Sequence, residues 1–348
     1  MSSTAGMVER GSVRFKGPIW TLLVLAPVIA EVLSGSTRTS ILFVLLPEIM
    51  VWGVGALLCR ELVRRWRAGG VSLLVLGLAL SLAEEFIIQQ TSIAPLPFGG
   101  VHADYGRAWG INLVYLLFML AYESVWVVVV PVGVTELIFP SRREQPWLRR
   151  GGWIACIVAF LLGSRIAWYG WVKQARPRLG AAPYTASWGM IGGGLAVIAV
   201  LIALAYLLRN VGRPREGRTA PAWVAGLTAF AMGAAWFELI GQIFIPHPME
   251  PWTKAFGAGA LWAALAFVLF AWWTSRRAWS DAHRFLSCWG ATLACQAMPY
   301  ITIQAWPSVD VIGKVAFDAI AVAGFAWLGL RVMRRTGRGA LSVEWKND

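Results

Sequence analysis

Ten stretches of roughly 20 apolar residues follow one another along this chain, separated by short polar connections. An α-helix rises about 1.5 Å per residue, so about 20 such residues cross a hydrocarbon core of about 30 Å. The stretches fall at 18–35, 41–60, 71–92, 111–138, 152–173, 188–209, 222–245, 252–274, 285–304 and 311–332. A water-soluble core cannot absorb them: 58% of the 348 residues are hydrophobic and 14% are charged, against about 25% charged in ordinary soluble domains. The expected fold class is all-α, a polytopic integral membrane helix bundle of about ten transmembrane helices. Residues 1–338 read as a single transmembrane domain and 339–348 as a short polar tail that looks disordered. The first stretch follows Arg10, Arg14 and Lys16 as a signal peptide would, but no clean small-x-small site succeeds it. It reads as an uncleaved first helix. Pro131 predicts a kink in the fourth.

Charge placement predicts orientation. Arg60, Arg64, Arg65 and Arg67 follow the second stretch, and Arg142, Arg143, Arg149 and Arg150 follow the fourth. Similar clusters follow the sixth, eighth and tenth, while the alternate connections are poor in Lys and Arg. By the positive-inside rule both termini are cytoplasmic, in a plasma membrane of the bacterial inner-membrane type. The same rule explains the net charge of +13, so no nucleic-acid partner is expected. Most of the 21 Trp fall near helix ends, as aromatic belts do. Cys59, Cys156, Cys288 and Cys295 lie in or beside apolar stretches and read as small packing residues. Gly189 and Gly193 form a GxxxG that predicts close helix approach.

Ionisable residues inside the stretches carry the functional expectation. Measured along each helix, Glu31, Glu85, Arg165 and Glu238 lie at a similar height, about 20 Å from the cytoplasmic ends. Glu48 and Asp318 lie in the same outer half, and Glu123 lies nearer the midplane. Each group facing lipid would cost about 2.5–3.5 kcal/mol, so the set is expected to face inward around an outward-facing cavity. So many carboxylates near one Arg165 cannot all be ionised, which points to protons or a cation. Glu85 and Gln89 stand at i and i+4 before Pro95 and Pro97; Glu238 and Gln242 repeat the pattern before Pro246 and Pro248. Of the adjacent Glu84 and Glu85, only Glu85 shares an α-helical face with Gln89. Glu48–Glu61 and Glu123–Glu136 share a 13-residue spacing. Both patterns read as traces of duplicated helical hairpins. Lys314 and Asp318, four apart, are expected to pair.

Other chemistries lack their residues. His102, His247 and His283 all lie in connections, HExxH and a Walker A loop are missing, and Ser164 has no intramembrane His. The paired-glutamate motif of the CPBP intramembrane proteases places an Arg four residues after its second Glu; Gln89 stands there, so that assignment fails. His102, Asp104, His247 and Glu250 are of types that suit zinc, but nothing in their spacing supports a site, and no metal or other cofactor is expected. The favoured reading is a proton- or cation-coupled secondary transporter for a small solute. Its binding residues would be Glu31, Glu48, Glu85, Gln89, Glu123, Arg165, Glu238, Gln242 and Asp318. Two alternatives stand beside it. One is an integral-membrane enzyme acting on a lipid-linked substrate at the outer leaflet, with the 93–110 connection as a lid. The other is a non-catalytic membrane scaffold or sensor.

Overall fold

Each apolar stretch forms a helix. The computed structural model describes residues 16–95, 105–181, 184–212, 214–241 and 251–344. Among them the helices are α1 (Gly17–Val32), α2 (Thr39–Trp66), α3 (Gly70–Ile88), α4 (Leu113–Ile138), α5 (Arg150–Arg178) and α6 (Trp188–Asn210), then α7 (Ala222–Gly241), α8 (Trp252–Thr274), α9 (Asp281–Ala297) and α10 (Ser308–Glu344). The last helix runs past residue 338 to Glu344, so 339–344 continue α10 where a loose tail is expected from sequence. Eight of the helices reach at least 18 residues with the apolarity needed to cross a membrane; α1 and α9 are shorter. A two-stranded hairpin, β1 (Arg107–Ala108) and β2 (Ile111–Asn112), precedes α4. It gives part of the 93–110 connection regular structure. Asn112 ends the hairpin and caps α4, accepting from the Tyr115 N–H at 2.9 Å.

The helices run alternately up and down. One end of the bundle gathers the Arg-rich connections 67–69, 139–149, 211–221 and 275–280 (the basic end). The other gathers 33–38, the β hairpin and 298–307 (the hairpin end). Helices α1 to α4 pack on one another in the centre, with Leu22, Ala26, Leu57, Leu76 and Val127 buried among them. The later helices surround them: α5 lies on α2, α6 on α3, α8 and α9 on α4, and α7 on α8 and α9. The contrast is steep, with 78% of the apolar window of α3 buried against 6% for α5. Exposed Ile154, Leu161, Val200, Leu265 and Ile320 on the outer helices give the lipid an apolar surface.

Four of the central helices do not stay α-helical throughout. Val28–Val32 in α1, Ile49–Gly53 in α2, Glu84–Ile88 in α3 and Glu123–Val129 in α4 widen to the π-helical i→i+5 pattern. The Leu33 N–H donates to Val28 O at 2.9 Å, and the Gln89 N–H to Glu84 O at 2.8 Å. Two of the four adjoin a proline. Pro27 has no N–H for the Leu23 carbonyl, and the wide turn in α1 begins directly after it. The distortion in α4 ends just before Pro131, so the irregular turn lies upstream of the proline that predicts it. Gly53 sits against the Leu23 carbonyl so tightly that a Cβ there would stand 2.1 Å from the oxygen. The bare glycine lets α2 close on the carbonyl that Pro27 leaves free. Gly77 of α3 meets Ser124 of α4 in the same manner.

The expected GxxxG contact does not form among the described residues. A Cβ on Gly193 would meet nothing within 4 Å, and one on Gly189 only its neighbour Ser187; Gly194, instead, packs on Phe86. The four thiols are free.

Candidate functional site

The wide turns of the four central helices gather the acids; a fifth, Tyr169–Ala175 in α5, holds none. Glu31 lies within the π-helical turn of α1, Glu48 directly precedes that of α2, and Glu84, Glu85 and Glu123 open those of α3 and α4. Glu85 and Glu123 are 1% exposed, Glu84 2% and Glu48 6%; Glu31 is partly buried. Glu84 feels the charges of Glu85, Glu31 and Glu48, and Glu123 those of Glu84, Glu85 and Glu31. Five carboxyl groups from four helices thus occupy one electrostatic neighbourhood.

Their hydrogen bonding is thin. Both carboxylate oxygens of Glu84 and of Glu123, and Oε2 of Glu48, make no well-formed hydrogen bond, although Gln89 stands within reach of Glu84 and Ser81 within reach of Glu123. The Thr37 hydroxyl donates to Glu48 Oε1, and the Ser92 hydroxyl donates to Glu85 Oε2 at 2.6 Å. Among the described residues no ion pair reaches any of the five. Buried carboxylates in a low dielectric need a counter-charge; with no basic side chain paired to them, that is a proton or a cation. Among the described residues no three His, Cys, Asp or Glu side chains come close enough to hold a metal ion. The phenol of Tyr115 lies within electrostatic reach of Glu85, Glu123, Glu31 and Glu84, and Tyr122 donates to the Ala30 carbonyl beside Glu31.

The two ends of the bundle close differently. Towards the hairpin end, Thr37 joins Glu48 to the 33–38 connection, where the Ser34 hydroxyl donates to Glu31 O at 3.1 Å and contacts the Ser36 hydroxyl at 2.9 Å. Ser36 is exposed, so a short run of hydroxyls separates the acids from that surface. At the basic end stands a satisfied ion network. Arg60, fully buried, meets Glu61 at 2.9 Å and Glu136 at 3.3 Å, and Arg64 holds both Glu136 oxygens at 2.6 and 2.7 Å. Arg60 also donates to the carbonyls of Arg142, Arg143 and Gln145 and lies 3.5 Å from the Trp147 ring centroid. Glu61 accepts from the N–H groups of Trp147 and Leu148. The two 13-residue spacings therefore share one geometry: the first acid of each pair joins the unpartnered group, and the second joins Arg60.

Several residues expected at the site stand elsewhere. Arg165 is exposed on α5, its guanidinium 4.5 Å from the Trp168 ring centroid, and joins none of the acids. Glu238 is exposed on α7, although its neighbours Trp236 and Phe237 are buried against α4. Both depart from the expected lining because their helices belong to the surrounding layer. Asp318 does pair with Lys314, and also accepts from Tyr300 at 2.9 Å and Gln296 at 3.2 Å. That cluster is local to α9 and α10. Gln242, His102, Asp104, His247 and Glu250 lie outside the described residues. Gln89 comes to Glu84 rather than Glu85, because a π-helical turn aligns i with i+5. Neither of two hollows in the described residues is lined by these acids; the one of about 480 Å³ is an apolar groove between α3, α4 and α6.

A model of an uncharacterized membrane protein family matches residues 21–326. The chain belongs to that family. The matched span covers α1 to α9 and much of α10, and so holds all five buried acids. Searches of the curated proteins and of the solved structures found no match.

Proposed function

We propose that this member of the family is a proton-coupled secondary transporter whose coupling groups are Glu31, Glu48, Glu84, Glu85 and Glu123. One observation carries the reading: five acids, four of them at most 6% exposed, meet at π-helical turns of four central helices without a basic partner. Broken helices near mid-membrane are where transporters place substrate and coupling-ion sites, and π-helical turns recur at functional positions. Thr37 on Glu48 and the Ser34–Ser36 pair on the Glu31 carbonyl mark a polar route towards the hairpin end, and the Arg60 network bars the basic end. The basic connections support a plasma membrane with the basic end in the cytoplasm.

The test is purified protein in liposomes with a trapped pH dye, an imposed pH gradient and a panel of small solutes. The expected result is solute-dependent proton movement in the wild type and none in a Glu84→Gln/Glu123→Gln variant. Proton movement unchanged in that variant, or no solute-dependent movement in the wild type, would overturn the assignment.

A further inference from the structure

Two arginines share one short segment at the hairpin end. Arg107 of β1 donates to the carbonyls of Ile93 at 2.7 Å, Ala94 at 3.2 Å and Gly110 at 3.0 Å. Arg176, near the end of α5, donates to the next carbonyl, Pro95 O, at 2.8 Å. Arg176 is 2% exposed, and its Nη1 is buried without an acceptor. Among the described residues no carboxylate pairs with either arginine. Two positive charges held beside one another, one with an idle buried donor, have no anion among the described residues. The Tyr184 phenol lies within reach of both.

Tyr184 also packs on the apolar cluster of Leu82, Phe86 and Ile93. The 480 Å³ groove begins there, walled by Leu82 and Phe86 of α3, Ile111 and Leu116 beside the hairpin, and Gly193 and Val197 of α6. From Phe86 to Leu78 it descends about 12 Å along α3, most of one leaflet's half of a hydrocarbon core of about 30 Å. Gly193 leaves its wall bare, since a Cβ there would touch nothing within 4 Å.

We propose that this place binds an anionic phospholipid, its phosphate on Arg107, Arg176 and Tyr184 and one acyl chain in the groove between α3, α4 and α6. Charge selects the head group, because paired guanidinium donors match phosphate oxygens in number and geometry. The groove selects a lipid over free phosphate, because Tyr184, in reach of both arginines, packs on the cluster whose Leu82 and Phe86 wall it. The site stands apart from the buried acids and does not rest on the transport reading.

The test uses full-length protein stripped of lipid in detergent and titrated with phosphatidylglycerol, phosphatidylcholine of the same acyl chains, or inorganic phosphate. Phosphatidylglycerol should raise the melting midpoint, and the other two should not. Arg107→Gln and Arg176→Gln should each weaken phosphatidylglycerol binding at least tenfold. Gly193→Leu, which fills the groove and leaves the arginines untouched, should weaken it at least tenfold as well. Equal response to phosphatidylcholine, equal response to inorganic phosphate, or full binding by Gly193→Leu would overturn the proposal. Should either arginine variant fail to fold, Gly193→Leu and the three-ligand comparison decide it.

Discussion

Replacing Gly53 by alanine tests the contact that brings α2 against α1, about two to three helical turns nearer the basic end than Glu31 and about one to two than Glu48. The added methyl would stand 2.1 Å from the Leu23 carbonyl oxygen and 2.9 Å from its carbon. Both are backbone atoms of a central helix, so no side chain can swing aside. Overpacking of this kind costs about 1–3 kcal/mol. Opposing it is the gain from replacing glycine inside a helix, about 0.5–1 kcal/mol. Gly192 supplies the internal control: it also lies inside a helix, α6, and a Cβ there would meet nothing within 4 Å. The propensity gain is common to both substitutions and cancels in their difference. Gly53→Ala should therefore be less stable than Gly192→Ala by about 1–3 kcal/mol, roughly 5- to 150-fold in the folded-to-unfolded ratio. Unfolding in mixed micelles of rising dodecyl sulfate, followed by far-ultraviolet circular dichroism, measures both. If the two variants agree within about 0.5 kcal/mol, the scatter of substitutions that touch nothing, the close approach is not a packing constraint.

Three further outcomes are expected. Glu136→Gln strips Arg60 and Arg64 of their shared carboxylate and should cost about 3–5 kcal/mol, whereas Glu84→Gln, which breaks no ion pair, should leave the same unfolding midpoint unchanged or higher. Arg165→Gln and Glu238→Gln, both on the exposed layer, should leave solute-driven proton movement in liposomes at the wild-type rate; a loss in either would return that residue to the site. Asn112→Ala removes the acceptor for the Tyr115 N–H and should cost about 1 kcal/mol, read from the thermal midpoint with Asn112→Asp as the conservative comparison.

The number of helices, their order and their alternation were legible because a bilayer constrains local sequence directly. Each crossing needs its own apolar run of sufficient length, and each turn needs polar residues, so one window at a time is enough to read them. Depth was legible for the same reason, since height along a helix follows from counting residues. That count put Glu31, Glu48 and Glu85 in the outer half and Glu123 nearer the midplane, and the four-residue spacing gave the Lys314–Asp318 pair, which lies within one helix turn. Azimuth was not legible. A helix with apolar residues all round gives no sign of which side faces its neighbours, so Arg165 and Glu238, at the right height, still fall on the outside. The π-helical turn after Glu84 was equally hidden: it moves Gln89 by one position and brings Glu84, set aside on α-helical spacing, into the group. Its nearest sequence signals are Pro27 and Pro131, each next to a wide turn in another helix.

Sequence alone thus determined a membrane-spanning bundle, the succession of its helices and the heights of its charges. Tertiary structure decided which four helices form the centre, which acids share it, and that Arg60 gathers Glu61 and Glu136 at the opposite end. The physical reason is that burial in lipid is a property of each segment, whereas facing another helix is a property of pairs. Pairing depends on close contacts such as Gly53 on the Leu23 carbonyl and Gly77 on Ser124, between residues far apart in the chain.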